Sequence, residues 1–401
     1  MTAERICLIS AEYPPTPGGV GDYTACLAVA LAQAGRQVHV LTTRTDRAGR
    51  AEPTPPGVCV HRLVRDWGWG CWGDIARALR TLHPAVAVVQ YQTGAYRLHG
   101  AINLLPWRLQ RLPVAWVTTF HDLREPYLFP KAGRLRPLAN AALMRGSRAI
   151  VVTNPQDQAA LPAWARARAR GIPIGANIAP VPPSGWDRAA IRGRYGVRPE
   201  TILIAYFGFF NASKGLDTLL AALASLRRQG GAYHLLLVGG GSTTSDPTNA
   251  ATEAALRRQI AALGLTTAVY WTGYLDPAGV SAALLSADLA ALPFADGASL
   301  RRGSLLAVLA HGLPLVTTTP APTGVRAADW PALAHGTNVL LVPPADPDAL
   351  AAALARLADD AALRARLGAG AQTLAAQFDW GRIAAEYLAL FDSLIRALPD
   401  Q

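Results

Sequence analysis

The chain has 401 residues, of which 51% are hydrophobic and 16% charged, the composition of a globular protein long enough for two domains rather than of a disordered or fibrous chain. Its formal net charge of +11 is uneven, since residues 1–183 hold 21 Lys and Arg against 10 Asp and Glu, while residues 184–401 hold 17 of each. The four cysteines, Cys7, Cys26, Cys59 and Cys71, form no CxxC pair and have no histidine at metal spacing, which argues against structural zinc and for buried thiols in a reducing compartment.

The N-terminal run "MTAERICLISAEYPP" passes straight into a strand-like segment, without the parts of a secretory signal. Every apolar stretch is broken before the roughly 20 residues of a spanning helix, so a cytoplasmic protein is expected. The first segment then reads strand "RICLISAEY", loop "PPTPGGVGD", helix "YTACLAVALAQAG" and strand "RQVHVLTT". Further strands are expected at "AVAVVQYQ", "VAWVTTFHD" and "RAIVVTN". Strands alternating with helical patterns imply a parallel sheet with helices on both faces, and hence a Rossmann-like domain over residues 1–183.

The Pro- and Gly-rich run "GIPIGANIAPVPPSGWD" reads as the linker. The alternation restarts with "TILIAYFGFF", the helix "GLDTLLAALASLRRQG", "YHLLLVGGG", the helix "ATEAALRRQIAALGL", "AVYWTGYL", "DLAALPF" and "LPLVTTT". A second doubly wound parallel sheet is therefore expected over residues 184–379, followed by an amphipathic helix from about residue 380 to the C-terminus. The fold class is α/β, with two Rossmann-like domains and the site expected at the carboxyl ends of both sheets, where open parallel sheets bind ligands.

Several residues at those ends could carry chemistry. Gly18, Gly19, Val20 and Gly21 lie between a strand and a helix, where backbone N–H groups can approach a phosphate or sugar; the other reading is an ordinary turn. Lys214, one of only two lysines among 38 basic residues, precedes a helix, where an ammonium can neutralise a diphosphate or stay solvated. Gly239 and Gly241 end a strand in the same manner. His121, with Asp122 beside it, ends a strand of the first half and is either a reacting-site group or a structural one.

In this order the motifs resemble the retaining family-4 glycosyltransferases of the GT-B architecture, also called group 1, over nearly the whole chain. The segments that carry the resemblance are "GGVGDYTACLAVALAQAGRQVHVLT", "TFHDL", "SKGLDTLL", "LLLVGGGS", "VYWTGYL", "SADLAALPF", "LAHGLPLVTT", "NVLLVPPADPDALAAAL" and "FDWGRIAAEYLALF". The resemblance implies transfer of a sugar from a nucleoside-diphosphate donor, bound mainly by the second half, to an acceptor held by the first. It implies that Lys214 contacts the donor diphosphate, that the loop of Gly19, Val20 and Gly21 closes over phosphate and acceptor, and that His121 stands beside the transferred sugar. Asn211, Gly239, Gly241 and Tyr274 fall in segments that meet the nucleotide or sugar. The final helix would pack back on the first domain. In that scheme the leaving diphosphate takes the acceptor's proton, and neither an enzyme nucleophile, a metal nor another cofactor is required.

Two departures from the family pattern stand out. Phe209 and Phe210 follow Gly208 where the family carries an arginine, and Ser299 and Ala307 occupy the positions of its paired glutamates before the "GLP" turn. One explanation is that Arg301 and Arg302 replace the lost cation, helped by the N–H groups of Gly303 and Ser304, while Asp296 or Ser299 meets donor hydroxyls. The other is that donor binding is lost and the chain is a non-catalytic nucleotide-sugar-binding or scaffold protein; a sugar-nucleotide epimerase on the same plan is a third. The basic first half, with Lys131, Arg134, Arg136, Arg145, Arg148, Arg166, Arg168 and Arg170 among apolar residues, suits an anionic membrane surface and a lipid-linked or polysaccharide acceptor. No nucleic-acid recognition module is present, so nucleic acid is not an expected partner.

Overall fold

The computed structural model describes residues 4–16, 18–44, 54–123, 136–208, 210–240, 247–322 and 330–396. They form two compact units, Met1–Gly175 with Val325–Trp330 and Asp379–Gln401, and Ala176–Gly324 with Pro331–Phe378. The division falls at Gly175 and not at residue 183, because the linker's Asn177 already packs on Gly303 of the second unit.

The first unit is built on a parallel sheet of β1 (Arg5–Ile9), β2 (Gln37–Thr43), β3 (Val58–Val64), β4 (Val86–Tyr91), β5 (Ala115–Phe120), β6 (Ala149–Val152) and β7 (Ala169–Gly171). Their spatial order is β3-β2-β1-β4-β5-β6-β7. Every residue of β4 and β5 is buried, as expected of strands covered on both faces. The period-2 alternation divides each strand between two layers. Cys7 and Ile9 enter one layer with Leu79, Leu105 and Leu143; Ile6 and Leu8 enter the other with Leu27, Leu31, Tyr387 and Phe391. The last two come from the C-terminal helix Trp380–Arg396, which packs against the helix Gly19–Gln33.

The cysteine expectation needs correction: Cys7 and Cys71 are buried and all four thiols are free, but Cys59 is exposed. It lies on β3, the edge strand. A second correction concerns the glycine loop. The helix already begins at Gly19, so Gly19 and Gly21 belong to its first turn.

The second unit holds β8 (Ile202–Phe207), β9 (Tyr233–Val238), β10 (Val269–Trp271), β11 (Leu289–Leu292), β12 (Leu315–Thr318) and β13 (Leu340–Val342), in the order β10-β9-β8-β11-β12-β13. The strand order reverses between β8 and β11, the point at which open parallel sheets bind ligands. Helices remote from that point are capped by aspartates, Asp187, Asp276, Asp346 and Asp360, each accepting from a first-turn N–H. The two helices that begin at it, Leu216–Arg228 and Gly303–Ala310, have no side-chain cap. Among the described residues no helix is long and apolar enough to cross a membrane.

The base of the second sheet is tied by a buried arginine. Arg192 donates to Asp288 at 2.9 Å and to the carbonyls of Ser286, Arg198 and Thr201, while Asp288 also accepts from the N–H of Leu203 at 2.7 Å. Removing the guanidinium would leave Asp288 only the more exposed Arg188, at 2.5 Å, as its cationic partner and would take the donor from three carbonyls. Arg192→Ala is therefore expected to lower the unfolding free energy by about 3 kcal/mol in urea titration, with Arg192→Lys recovering only part; a loss below about 1 kcal/mol would refute this anchoring role.

Candidate functional site

In the second unit, the loop after β8 is folded onto the loop after β11. The Lys214 N–H donates to the Asn211 carbonyl at 3.0 Å, and the Ala295 N–H to the Ser213 carbonyl at 3.0 Å. The Ser213 hydroxyl donates to Asn211 Oδ1 at 2.8 Å. Gly215, at φ +66°, makes this approach possible, because a side-chain carbon there would lie 1.9 Å from the Pro293 carbonyl oxygen. The close approach fixes where Lys214 can reach.

The Lys214 ammonium sits 5.2 Å from the centre of the Phe294 ring, and the guanidinium carbon of Arg302 lies 4.1 Å from the same centre. Two cations thus share one aromatic ring, each favoured by its quadrupole and disfavoured by the other. Arg302 also pairs with Asp296 through Nη2; its side chain is 17% exposed and that of Asp296 61%, so the counter-charge is the wetter partner. Burial, followed by the positive charge of Arg302, lowers the Lys214 pKa to about 8, with Asp296 opposing. Burial likewise lowers that of Arg302, against the pull of Asp296. Among the described residues, buried Arg302 Nε has no hydrogen-bond partner, nor has Asn177 Oδ1 next to Gly303. The crevice has positive charge and unspent polar atoms to offer an anion.

The other residues expected here are distributed around this pair. Ser304 faces Gly208, whose added side-chain carbon would lie 3.6 Å from its hydroxyl. The Gly239 N–H donates to Thr272 Oγ1 at 3.1 Å, and its Cα lies so close to the Gly208 carbonyl that a Cβ would come within 3.2 Å of the oxygen. Arg301 is exposed, with its Nε and N–H 3.4 Å from Ser299 Oγ, and it acts on Arg302 through its positive charge. Tyr274 is 83% exposed. Gly241 and Phe209 lie outside the described residues. Phe294 and Asn177 were missed in the sequence, since only the fold shows that the ring supports both cations.

In the first unit, His121 follows β5. Its Nε2 is 3.0 Å from Oε1 of the buried Gln90 on β4, and its ring meets Tyr23 edge to face at 4.6 Å. Burial lowers its pKa to about 3, so the ring is neutral near pH 7, though part of it reaches the surface. With Gln90 accepting, Nε2 carries the proton and Nδ1 is an acceptor. Tyr23 in turn bonds the hydroxyl of Tyr387 at 3.0 Å, which bonds Thr119 at 2.8 Å. The histidine is thereby held through the C-terminal helix.

The N-terminus of the helix Gly19–Gln33 is already in contact with a carboxylate. Glu12 accepts from the N–H groups of Val20 and Gly21, and lies against Gly18, where a Cβ would come within 3.2 Å of Oε1 and closer still to Oε2. Burial, then the charge of Asp22, raises the Glu12 pKa, the two backbone bonds opposing. The signal was an acid just beyond β1, overlooked beside the glycines that follow it.

Residues 18–175 match the family described as Glycosyl transferase 4-like domain, and residues 201–360 that described as Glycosyl transferases group 1. The chain is 25% identical to a D-inositol 3-phosphate glycosyltransferase of Kineococcus radiotolerans, over 100% of this chain and 97% of the relative. It is 27% identical to a phosphatidyl-myo-inositol mannosyltransferase of Mycolicibacterium smegmatis, over 97% and 94%. Among solved structures, a sucrose-phosphate synthase from Thermosynechococcus elongatus shares the fold, with a TM-score of 0.75 at 23% identity, covering 98% of this chain and 100% of that one.

The Lys214 titration makes a test. A group whose pKa is lowered to about 8 loses its charge as the pH rises through that value, and with it the attraction for an anion. Affinity for a nucleoside diphosphate, already fully ionised there, is expected to fall on the order of tenfold between pH 7 and pH 9 in calorimetry. Lys214→Arg should flatten the profile; an equal fall in that variant would assign the titration elsewhere.

Proposed function

We propose that this chain, which belongs to the group 1 glycosyltransferases, moves a sugar from a nucleoside-diphosphate donor to a lipid-linked or carbohydrate acceptor, with retention of anomeric configuration and without a metal or other cofactor. The observation that carries this reading is the Lys214 and Arg302 pair on Phe294, whose positive charge is only partly offset by the exposed Asp296. Such a pair stabilises the charge that develops on a departing diphosphate in a partly water-excluded crevice. The bond from the anomeric carbon to the diphosphate breaks, the acceptor oxygen attaches on the same face, and its proton passes to the departing diphosphate oxygen. The protein contributes position and charge. Neutral His121, with one nitrogen donating and the other accepting, suits a hydrogen bond to a sugar hydroxyl.

The test is binding and hydrolysis of a panel of UDP-, GDP- and ADP-sugars. Lys214→Ala and Arg302→Ala are each expected to weaken the preferred donor by about tenfold or more, whereas Arg301→Ala, at an exposed side chain, should have a smaller effect of about twofold. A chain that binds none of the panel is not a transferase of this kind; binding without turnover in the presence of acceptors would mark a non-catalytic binder.

A lipid-linked acceptor is supported by one face of the first unit. The exposed Trp107, Leu138 and Trp164 lie around the helix Arg136–Gly146, with the Trp107 indole donating to the Ala142 carbonyl at 2.7 Å and Arg145 stacked 4.4 Å from the Trp164 ring. Arg145, Arg148, Arg166 and Arg170 are exposed there; Lys131 and Arg134 lie outside the described residues. Arg166, Arg168 and Arg170 also bond local backbone carbonyls, which fixes them without removing their charge. Co-sedimentation with phosphatidylglycerol vesicles is expected at low salt and should fade as salt is raised. Equal binding to phosphatidylcholine vesicles would remove the electrostatic argument.

A further inference from the structure

The run "DWGWGCW" places three tryptophans in the segment that leaves β3 and enters the helix Cys71–Leu82. Two of them hold the fold. Trp67 is buried and its indole N–H donates to Thr43 Oγ1 at 2.8 Å, while Trp72 donates to the Ala101 carbonyl at 3.0 Å. Trp69 does neither: it is 56% exposed, held by ring contacts with Trp72 at 5.1 Å and His99 at 5.3 Å. An indole fixed by its neighbours and left open to water has lost its freedom without burying its ring. That is the arrangement of a pre-organised contact surface.

Polar groups of both kinds stand beside it. His99 Nδ1 accepts from the Ala101 N–H at 3.1 Å, so the neutral ring carries its proton on Nε2 and offers a donor there. Asp66 accepts from the Gly68 N–H at 2.6 Å and keeps acceptor capacity. A side-chain carbon at Gly68 would lie 2.6 Å from Asp66 Oδ1 and 3.6 Å from His99 Nε2; acceptor and donor border one space that the glycine leaves open. The backbone that delivers His99 is strained. Arg97 and Leu98, just before it, have φ of +52° and +61°, in the left-handed region that non-glycine residues avoid, and such strain concentrates at ligand sites. The group lies at the carboxyl ends of β3 and β4, the end of the sheet on which ligands bind.

We infer that Trp69, Asp66 and His99 form an acceptor subsite that takes a pyranose ring, its C–H face on the indole and its hydroxyls on the carboxylate and the imidazole N–H. The subsite rests on the acceptor part of the function proposed above. A donor and an acceptor side by side match a hydroxyl, which needs both. An organic cation would use the indoles and Asp66 but would meet a donor in His99 and the exposed Arg65 and Arg97 nearby in the chain.

Saturation-transfer NMR on the full chain tests this, with UDP, GDP and ADP present to fill the donor site. The probes are the methyl glycosides of mannose, glucose, galactose and N-acetylglucosamine, with choline as the cation. Transfer to at least one glycoside is expected, strongest on the protons of one ring face. It should fall about tenfold in Trp69→Ala, as for other stacked rings removed by alanine, fall less in Trp69→Phe, weaken in Asp66→Asn and persist in Lys214→Ala. Equal transfer in wild type and Trp69→Ala, transfer to choline alone, or no transfer to any glycoside would each overturn the subsite. Because Trp69 is exposed, its alanine variant should melt with the wild type; a lowered melting point would shift the test to Asp66→Asn and Trp69→Phe, where unchanged transfer overturns it. Glycoside transfer in a chain that binds no nucleotide would leave the subsite standing and remove the donor reading instead.

Discussion

Lys214 and Arg302 repel one another, yet the fold holds both beside Phe294 with one half-solvated carboxylate, Asp296, against their two positive charges. Each is partly desolvated, and burial lowers the pKa of both. Such an arrangement costs stability unless an anion completes it. Its cause lies in the backbone: Gly215 lets the β8 loop press on the Pro293 carbonyl, and the Ala295 N–H ties the two loops together. The parallel winding supplies the place, since β8 and β11 are neighbours at the point where the strand order reverses. Charge, ring and crevice follow from one contact between two loops.

The first unit solves a different problem, positioning groups without net charge. His121 is neutral, Gln90 beside it is buried, and the Tyr23, Tyr387 and Thr119 hydroxyls form a buried chain. Burial raises both tyrosine pKa values, so these phenols remain protonated and act as fixed dipoles. Glu12 satisfies N–H groups at the start of the Gly19–Gln33 helix. A ligand phosphate at that helix would have to move Glu12 or meet its charge, whereas a hydroxyl could share it. In sequence the glycines there read either as a loop that approaches a phosphate or sugar or as an ordinary turn; in three dimensions Gly18 lies where a carboxylate occupies the space a side chain would need.

Much of the architecture was legible because fully buried parallel strands have no polar face to obscure them: "VAVVQY" and "AWVTTF" admit few other readings. The edge strands were harder. In β3, "VCVHRLV", cysteine, histidine and arginine are tolerated because one side has no neighbouring strand, and β7 is only "ARG" within a basic run. For the candidate site, Lys214 drew attention through its rarity. Arg301 and Arg302 looked equivalent, and only the turn into the helix Gly303–Ala310 sends one inward and the other to solvent. Phe294 passed as the end of a strand, Glu12 as part of the strand "RICLISAEY", and Trp69 carried no signal of its own. In each case the role depends on what a distant segment brings alongside, and local pattern carries no such information.

At the positions where the resembling family keeps paired glutamates, the packing of this chain disfavours an acid. Ala307 is fully buried within the helix Gly303–Ala310, and its carbonyl accepts from the N–H and Nδ1 of His311. A glutamate there would need a route out of an apolar layer or a partner within it. Ser299 accepts from Arg301, a contact that a longer acidic side chain would turn into an ion pair. Adding two carboxylates would also cancel much of the positive surplus that Lys214 and Arg302 create. The two features are therefore coupled: with an inward arginine at 302 and no acid at 299 or 307, the positive surplus beside Phe294 is left to the exposed Asp296 to offset.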